Sequence, residues 1–210
     1  MSKKKEEEDK ITFKLITIGD SDVGKTSIIR RYIYNIFDEN SMSTVGLNFT
    51  FKEIKLKNGM KVNLKLIDTA GQEKYKSLAK SYFKNCDGVL FVFDYSSLRT
   101  FEDISEWIKL FEENNGNMNL PKYLVGNKCD LENIVTQEEI DKFLNETKYK
   151  FKRTSASKGE NIEELFHEIT EDIWGNYLNS GDKEQKLKLI KKYKAPKKRS
   201  NCICAIQSED

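Results

Sequence analysis

The chain has little of what several protein classes require. Four cysteines in 210 residues, Cys86, Cys129, Cys202 and Cys204, show neither metal-ligand spacing nor the density of a disulfide framework. The opening "MSKKKEEEDK" contains no apolar signal stretch. Both features favour a reducing cytosolic compartment. No run reaches the roughly 18 apolar residues that span a bilayer, so membrane contact must come from a surface or a lipid. Two prolines and eleven glycines, set beside 38% hydrophobic and 11% aromatic residues, exclude a disordered or fibrous chain. The one histidine, His167, sits on the polar side of its helix with no partner cluster, and no catalytic or metal role is expected of it.

What charge is present is unevenly placed. Residues 179–210 hold nine Lys/Arg against four Asp/Glu, net +5, which leaves residues 1–178 at −3 from a whole-chain charge of +2. A mildly acidic body argues against nucleic-acid binding, whereas a basic tail suits an anionic membrane surface. Length predicts one main domain. The chain divides into a disordered charge run over 1–10, a folded domain over 11–178 and a basic flexible tail over 179–210.

Within the domain, short strands alternate with helices. "ITFKLITIG" is an apolar strand entering a glycine turn, and "KTSIIRRYIYN" follows with helical spacing. "LNFTFKEIKLKNGMKVNLKLID" holds two period-2 strands about Asn58-Gly59, a strong hairpin signal. "GVLFVFDYS" and "KYLVGNKCD" are continuous apolar runs, as in strands buried on both faces, with a helix read over "RTFEDISEWIKLFEEN" between them. Asn161 with Glu164 predicts a capping box, starting a helix whose Ile162, Leu165, Phe166, Ile169 and Ile173 share a face. Trp107 and Trp174 are read as core anchors, and Cys86 and Cys129 as packed thiols. The result is an α/β fold, its sheet mostly parallel with one antiparallel edge strand and helices on both faces.

Three motifs carry chemistry. "GDSDVGKT", residues 19–26, matches G-x-x-x-x-G-K-[ST] between a strand and a helix. Gly19 and Gly24 let the backbone of Asp20, Ser21, Asp22 and Val23 curl, so that its N–H groups and the helix N-terminus through Ser27 cradle phosphate. Lys25 is expected to reach the β- and γ-phosphates, and the Thr26 hydroxyl to bind Mg²⁺. "DTAGQE", residues 68–73, follows a strand: Asp68 suits a second Mg²⁺ contact, directly or through water, Gly71 an N–H to the γ-phosphate, and Gln72 orientation of the attacking water. Alone it is also an ordinary strand-to-helix turn. In "NKCD", residues 127–130, Asp130 accepts from the ring N–H and exocyclic amine of guanine, a donor pair that adenine lacks. Asn127 and Lys128 tie this loop to the first motif, and where "TSA", residues 154–156, follows the last strand a backbone N–H donates to guanine O6, with Ser155, Ala156 and Ser157 as the expected nucleotide contacts. Separately "NKCD" reads as an Asx turn; in this order the three motifs specify GTP over ATP.

Residues 11–178 resemble a small GTPase of the Ras superfamily, with a six-stranded P-loop fold. The resemblance implies that Thr44 is the switch threonine on Mg²⁺ and γ-phosphate, and Phe37 the aromatic against the guanine. "STVGLNF" and "KYKSLAKSYFKNCDG" are similar to the Rab branch, as is a long tail with two nearby cysteines. This implies a switch in vesicle trafficking, with loops at roughly 36–48 and 70–82, that meets an exchange factor, an activating protein, an escort or dissociation inhibitor and effectors. Such a protein is cytoplasmic and cycles to the cytosolic face of an endomembrane. The rival within the family is a Ras-like or orphan Rab-like signalling GTPase without a lipid-anchored cycle. Outside it, the rivals are a non-hydrolysing nucleotide scaffold, which the presence of Thr44 and Gln72 disfavours, and an ATPase or kinase, which Asp130 disfavours.

The chain departs from the Rab pattern at three places. Ile67 stands where effectors meet a tryptophan, and Ser157 where a lysine stem lies over the base. Asp22 puts a carboxylate near the phosphates, which predicts quick nucleotide exchange. "FDENSMS" before Thr44 has no arginine to act as a finger, so hydrolysis is expected at about 10⁻⁴ to 10⁻³ s⁻¹ unaided. In "NCICAIQSED", Cys204 is too far from the end for a C-a-a-X signal. By resemblance, Cys202 and Cys204 are nonetheless expected to be prenylated, with the upstream Lys/Arg cluster as the second membrane signal.

Overall fold

The computed structural model describes residues 11–39, 47–69, 83–115 and 119–180. Thr44, Gly71, Gln72, most of the two expected switch loops, Cys202, Cys204 and the two terminal segments lie outside them. Six strands form one sheet, β1 (Thr12–Ile18), β2 (Leu47–Lys55), β3 (Lys61–Thr69), β4 (Gly88–Asp94), β5 (Lys122–Asn127) and β6 (Lys150–Arg153), in the order β2-β3-β1-β4-β5-β6. Only β2 runs antiparallel to its neighbour. Asn58 makes that hairpin, its side chain accepting from the Met60 N–H while Gly59 turns at φ 85°.

Period-2 alternation divides the sheet's side chains between two cores. Leu90 and Val92 of β4 join Phe13 and Leu15 on the face covered by α1 (Lys25–Tyr34) and α5 (Ile162–Asn179). Val89, Phe91 and Phe93 join Ile16 and Ile18 on the other, under α2 (Leu98–Glu102), α3 (Ile104–Asn114) and α4 (Gln137–Thr147). Every residue of β4 is buried, which explains its unbroken apolar run. Trp107 and Trp174 are buried, as are both described cysteines; burial pushes the Cys86 thiol up to about 12. Among the described residues no helix is long and apolar enough to cross a membrane.

Three readings need correction. The helix expected over residues 99–114 is two, interrupted at Asp103, where the Glu106 N–H takes the Asp103 carbonyl three residues back. Asn161 makes no capping box: it is left-handed at φ 56°, a region Asn tolerates, and its amide donates to the Arg153 carbonyl at the end of β6. The box lies instead at α4, a helix the sequence reading passed over, where Thr136 and Glu139 exchange backbone bonds. His167 has one partner, Glu163 at 3.3 Å one turn earlier.

Candidate functional site

Parallel strands place their C-terminal ends together, and the loops that leave those ends build the site. The first connects β1 to α1. Gly19 and Gly24 have φ of 148° and 91°, and a Cβ would lie 2.1 Å from the Val92 carbonyl oxygen and 2.3 Å from Asn127 Nδ2 respectively. Only glycine lets this loop lie so close to β4 and β5.

Lys25 begins α1 and is buried. Its ammonium donates to the carbonyls of Gly19, at 2.9 Å, and of Asp20. Burial lowers its pKa to about 8, opposed by the carboxylates of Asp68, Asp20 and Asp22 in that order. Among the described residues this buried ammonium is held by neutral carbonyls, with carboxylates nearby, and so is poised to accept an anion. Asp22 is solvent-exposed and left-handed at φ 62°, so it acts on this site as a weakened, screened charge.

Thr26 donates to Asp68 Oδ2 at 2.7 Å, across from α1 to the end of β3. A hydroxyl and a carboxylate in contact form a hard-oxygen donor set that fits Mg²⁺, with the rest of its shell left to phosphate and water. Asp20 points away from the phosphate loop: its Oδ1 accepts from Trp107 Nε1 at 2.7 Å, and Arg99 lies 3.8 Å from its Oδ2. Trp107 therefore ties the loop to α3 as well as filling the core. Burial, followed by the hydrogen bond and charge of Asp20, pushes the Asp103 carboxyl up.

At the far end, Asn127 is buried at the close of β5. Its Nδ2 donates to the Val23 carbonyl at 2.9 Å, and its Oδ1 accepts from the Ala156 N–H at 3.2 Å and the Thr154 hydroxyl at 3.3 Å. One amide thus joins three loops. Lys128 does not share that tie: left-handed at φ 60°, it pairs with the mostly buried carboxylate of Asp94 at 2.7 Å. Asp130 is exposed, and its Oδ1 accepts from the Ser155 hydroxyl at 2.6 Å, which in turn accepts the Lys158 N–H at 2.9 Å. Phe37 is half-buried beyond the end of α1.

The structure also brings in residues that sequence motifs do not mark. Trp107 and Arg31 each bond a motif residue or its loop from a distance in sequence, and neither carries a local signature. Ile67 is buried inside β3, while Phe49 and Phe51 beside it on the edge strand are more than half exposed, with the Lys65 ammonium 4.6 and 5.8 Å from their ring centres.

Comparison with known proteins agrees with this architecture. The Ras family profile matches residues 14–175. The chain is 36% identical to the Ras-related protein Rab-13 of Bos taurus over 176 residues, covering 83% of this chain and 84% of that protein. It is 36% identical to the Ras-related protein Rab-10 of Diplobatis ommata, covering 78% and 82% of the two chains. It is 40% identical to the Ras-related protein rab-39 of Caenorhabditis elegans, covering 81% and 76%.

Proposed function

The chain belongs to the Ras family of small GTPases and is similar to Rab proteins over most of its length, and from that membership we propose how its residues bind GTP and hydrolyse it as a switch in membrane trafficking. The guanine nucleotide lies across the C-terminal ends of β1, β3 and β5, phosphates on the Gly19–Ser27 loop and base between Phe37 and the Asn127–Asp130 turn. The observation that carries this reading is the bond from Asn127 Nδ2 to the Val23 carbonyl, which makes the phosphate loop and the base loop one rigid unit.

On binding, Lys25 exchanges the carbonyls of Gly19 and Asp20 for phosphate oxygens, and its pKa returns upward as the anion replaces lost hydration. Asp130 accepts the two guanine donors from the solvent side, held by Ser155. Thr26 and Asp68, with Thr44, hold Mg²⁺, which when bound neutralises charge on the transferring phosphoryl group. Gln72 orients the attacking water. No arginine precedes Thr44 in "FDENSMS", so fast turnover needs one from an activating protein.

Regulators and effectors of the GTPase type act on the chain. We assign the nucleotide state to the loops at 36–48 and 70–82, and membrane attachment to Cys202 and Cys204. One lipid chain binds reversibly and two anchor firmly, and the basic residues Lys191 to Arg199 add attraction to an anionic leaflet.

Equilibrium binding of GDP and ADP, followed by single-turnover GTP hydrolysis with and without Mg²⁺, tests the site. Guanine preference with slow, Mg²⁺-dependent turnover is expected; equal binding of ADP, or unaided turnover of several per second, overturns it. Gln72→Leu lowers the intrinsic rate if Gln72 orients water. Intact mass of the protein from its own cells tests the tail, with two added isoprenoids expected and an unmodified chain excluding that anchor.

A further inference from the structure

Arg31 lies in the last turn of α1 and belongs to none of the three motifs, yet its guanidinium is bonded on both ends. Nε donates to the Ala156 carbonyl and Nη2 to the Ser157 carbonyl, each at 2.8 Å. Nη1 donates to both the backbone and side-chain oxygens of Asn35, at 3.2 and 3.1 Å, where Asn35 closes α1 in a left-handed turn. The guanidinium carbon also lies 6.0 Å from the centre of the Phe37 ring, within reach of a cation–π contact.

These bonds join the two walls between which the base is placed, a reading that rests on the nucleotide site proposed above. On one side is Phe37, two residues beyond Asn35. On the other is the 154–158 loop, from which a backbone N–H is to meet guanine O6. Nε–H and the adjacent Nη2–H form one rigid edge of the fork, and that edge spans two successive carbonyls. Peptide planarity then carries the effect across: a carbonyl held toward Arg31 sets the opposed direction of the next residue's N–H. Asn127 takes the Ala156 N–H, the Glu160 carbonyl the Ser155 N–H and the Ser155 hydroxyl the Lys158 N–H, while Arg31 is the tie that approaches from α1.

We propose that Arg31 is a positioning residue for base recognition, orienting the Ala156–Ser157 peptide so that the Ser157 N–H meets guanine O6, and coupling that loop to Phe37. Among the described residues its guanidinium bonds Ala156, Ser157 and Asn35, and neither the Gly19–Ser27 loop nor Asp130. Its effect therefore falls on recognition at O6 and leaves recognition of the exocyclic amine, which belongs to Asp130, in place.

That separation makes a test possible with nucleotide analogues. Affinities of GDP, 6-thio-GDP, which replaces O6 with a weakly accepting sulfur, and IDP, which lacks the exocyclic amine, are measured for wild type, Arg31→Ala and Arg31→Lys, with a thermal melt of each. Wild type is expected to prefer GDP over both analogues. In Arg31→Ala the preference over 6-thio-GDP falls to near one, the preference over IDP stays at its wild-type value, and GDP release quickens about tenfold. Arg31→Lys keeps the charge and most of the stem but not the fork, so it behaves as Arg31→Ala toward 6-thio-GDP and carries the test if the alanine variant does not fold. A 6-thio-GDP preference as large as wild type in either folded variant overturns the proposal, as does an equal fall in both preferences, which marks a merely structural role. Wild type binding ADP as well as GDP fails the nucleotide-site reading itself, an outcome readable before any variant is made.

Discussion

The proposed phosphate end and the proposed base end of the site are built in opposite ways. The phosphate end is one continuous stretch, Gly19 to Ser27, whose shape comes from two glycines and whose charge comes from Lys25 at a helix start. The base end is gathered from three segments, around Phe37, Asn127–Asp130 and Thr154–Ser157, joined by hydrogen bonds spanning 25 to 126 residues. A local loop depends on backbone conformation; a gathered one depends on the side chains that tie it. Damage at the first should act through the phosphates whatever the base, and damage at the second through the base.

The largest effect is expected at the base end. Asp130→Asn removes a charged acceptor and should cost about 2–5 kcal/mol of GTP affinity while favouring xanthine nucleotides, which carry an acceptor where guanine has its amine. Titration with GTP and xanthosine triphosphate checks this, and unchanged GTP affinity would remove Asp130 from the site.

Asn127 is where the two ends meet, and its loss should blur the comparison. Asn127→Ala leaves the Ala156 N–H and Thr154 hydroxyl without their shared acceptor in a buried place, at about 1–3 kcal/mol. It should lower the melting temperature without nucleotide and weaken GDP and xanthosine diphosphate alike, unlike Asp130→Asn. Calorimetry on both variants separates the cases.

Acidity isolates the phosphate end. Lys25 has a folded pKa of about 8, below its ordinary value near 10.5, so the unfolded chain binds more protons between those limits. Stability of the nucleotide-free chain should therefore gain from this group as pH rises from about 8 to 10.5. Bound phosphate raises the pKa, so GDP binding takes up a proton above pH 8 and its affinity declines there. Binding heats at pH 8.5 in buffers of different ionisation enthalpy report that uptake, and Lys25→Met abolishes it.

The smallest effect belongs to Asp22. Its exposed carboxylate opposes phosphate by well under about 1 kcal/mol once screening is counted. Glycine there also relieves a left-handed backbone at φ 62°, so Asp22→Asn, which tolerates that region, is the cleaner variant. It should slow GDP release about two- to threefold in low salt and not at all in high salt. No change in low salt makes the charge a bystander.

The same contrast governs what was legible beforehand. The Gly19–Thr26 loop and the Asn58-Gly59 hairpin declare themselves because residue type and backbone conformation are coupled within a few positions. The α4 capping box was equally local, in Thr136 and Glu139, and was passed over for a similar pattern at Asn161, whose amide is drawn to Arg153 instead. Lys128 follows Asn127 in the motif, but in the fold its ammonium pairs with the Asp94 carboxylate.

By itself, then, the sequence determined the mostly parallel α/β pattern, the hairpin and the conformation of the phosphate loop, and which residue types are offered for phosphate, metal and guanine, since each depends on neighbours along the chain. Only the tertiary structure decided that Lys128 pairs with Asp94, that Trp107 holds Asp20 and that Arg31 grips the loop 125 residues away. Those bonds form between groups brought together by sheet order and helix packing, and a hydrogen bond of about 3 Å has no counterpart in sequence spacing when the chain between its partners is long.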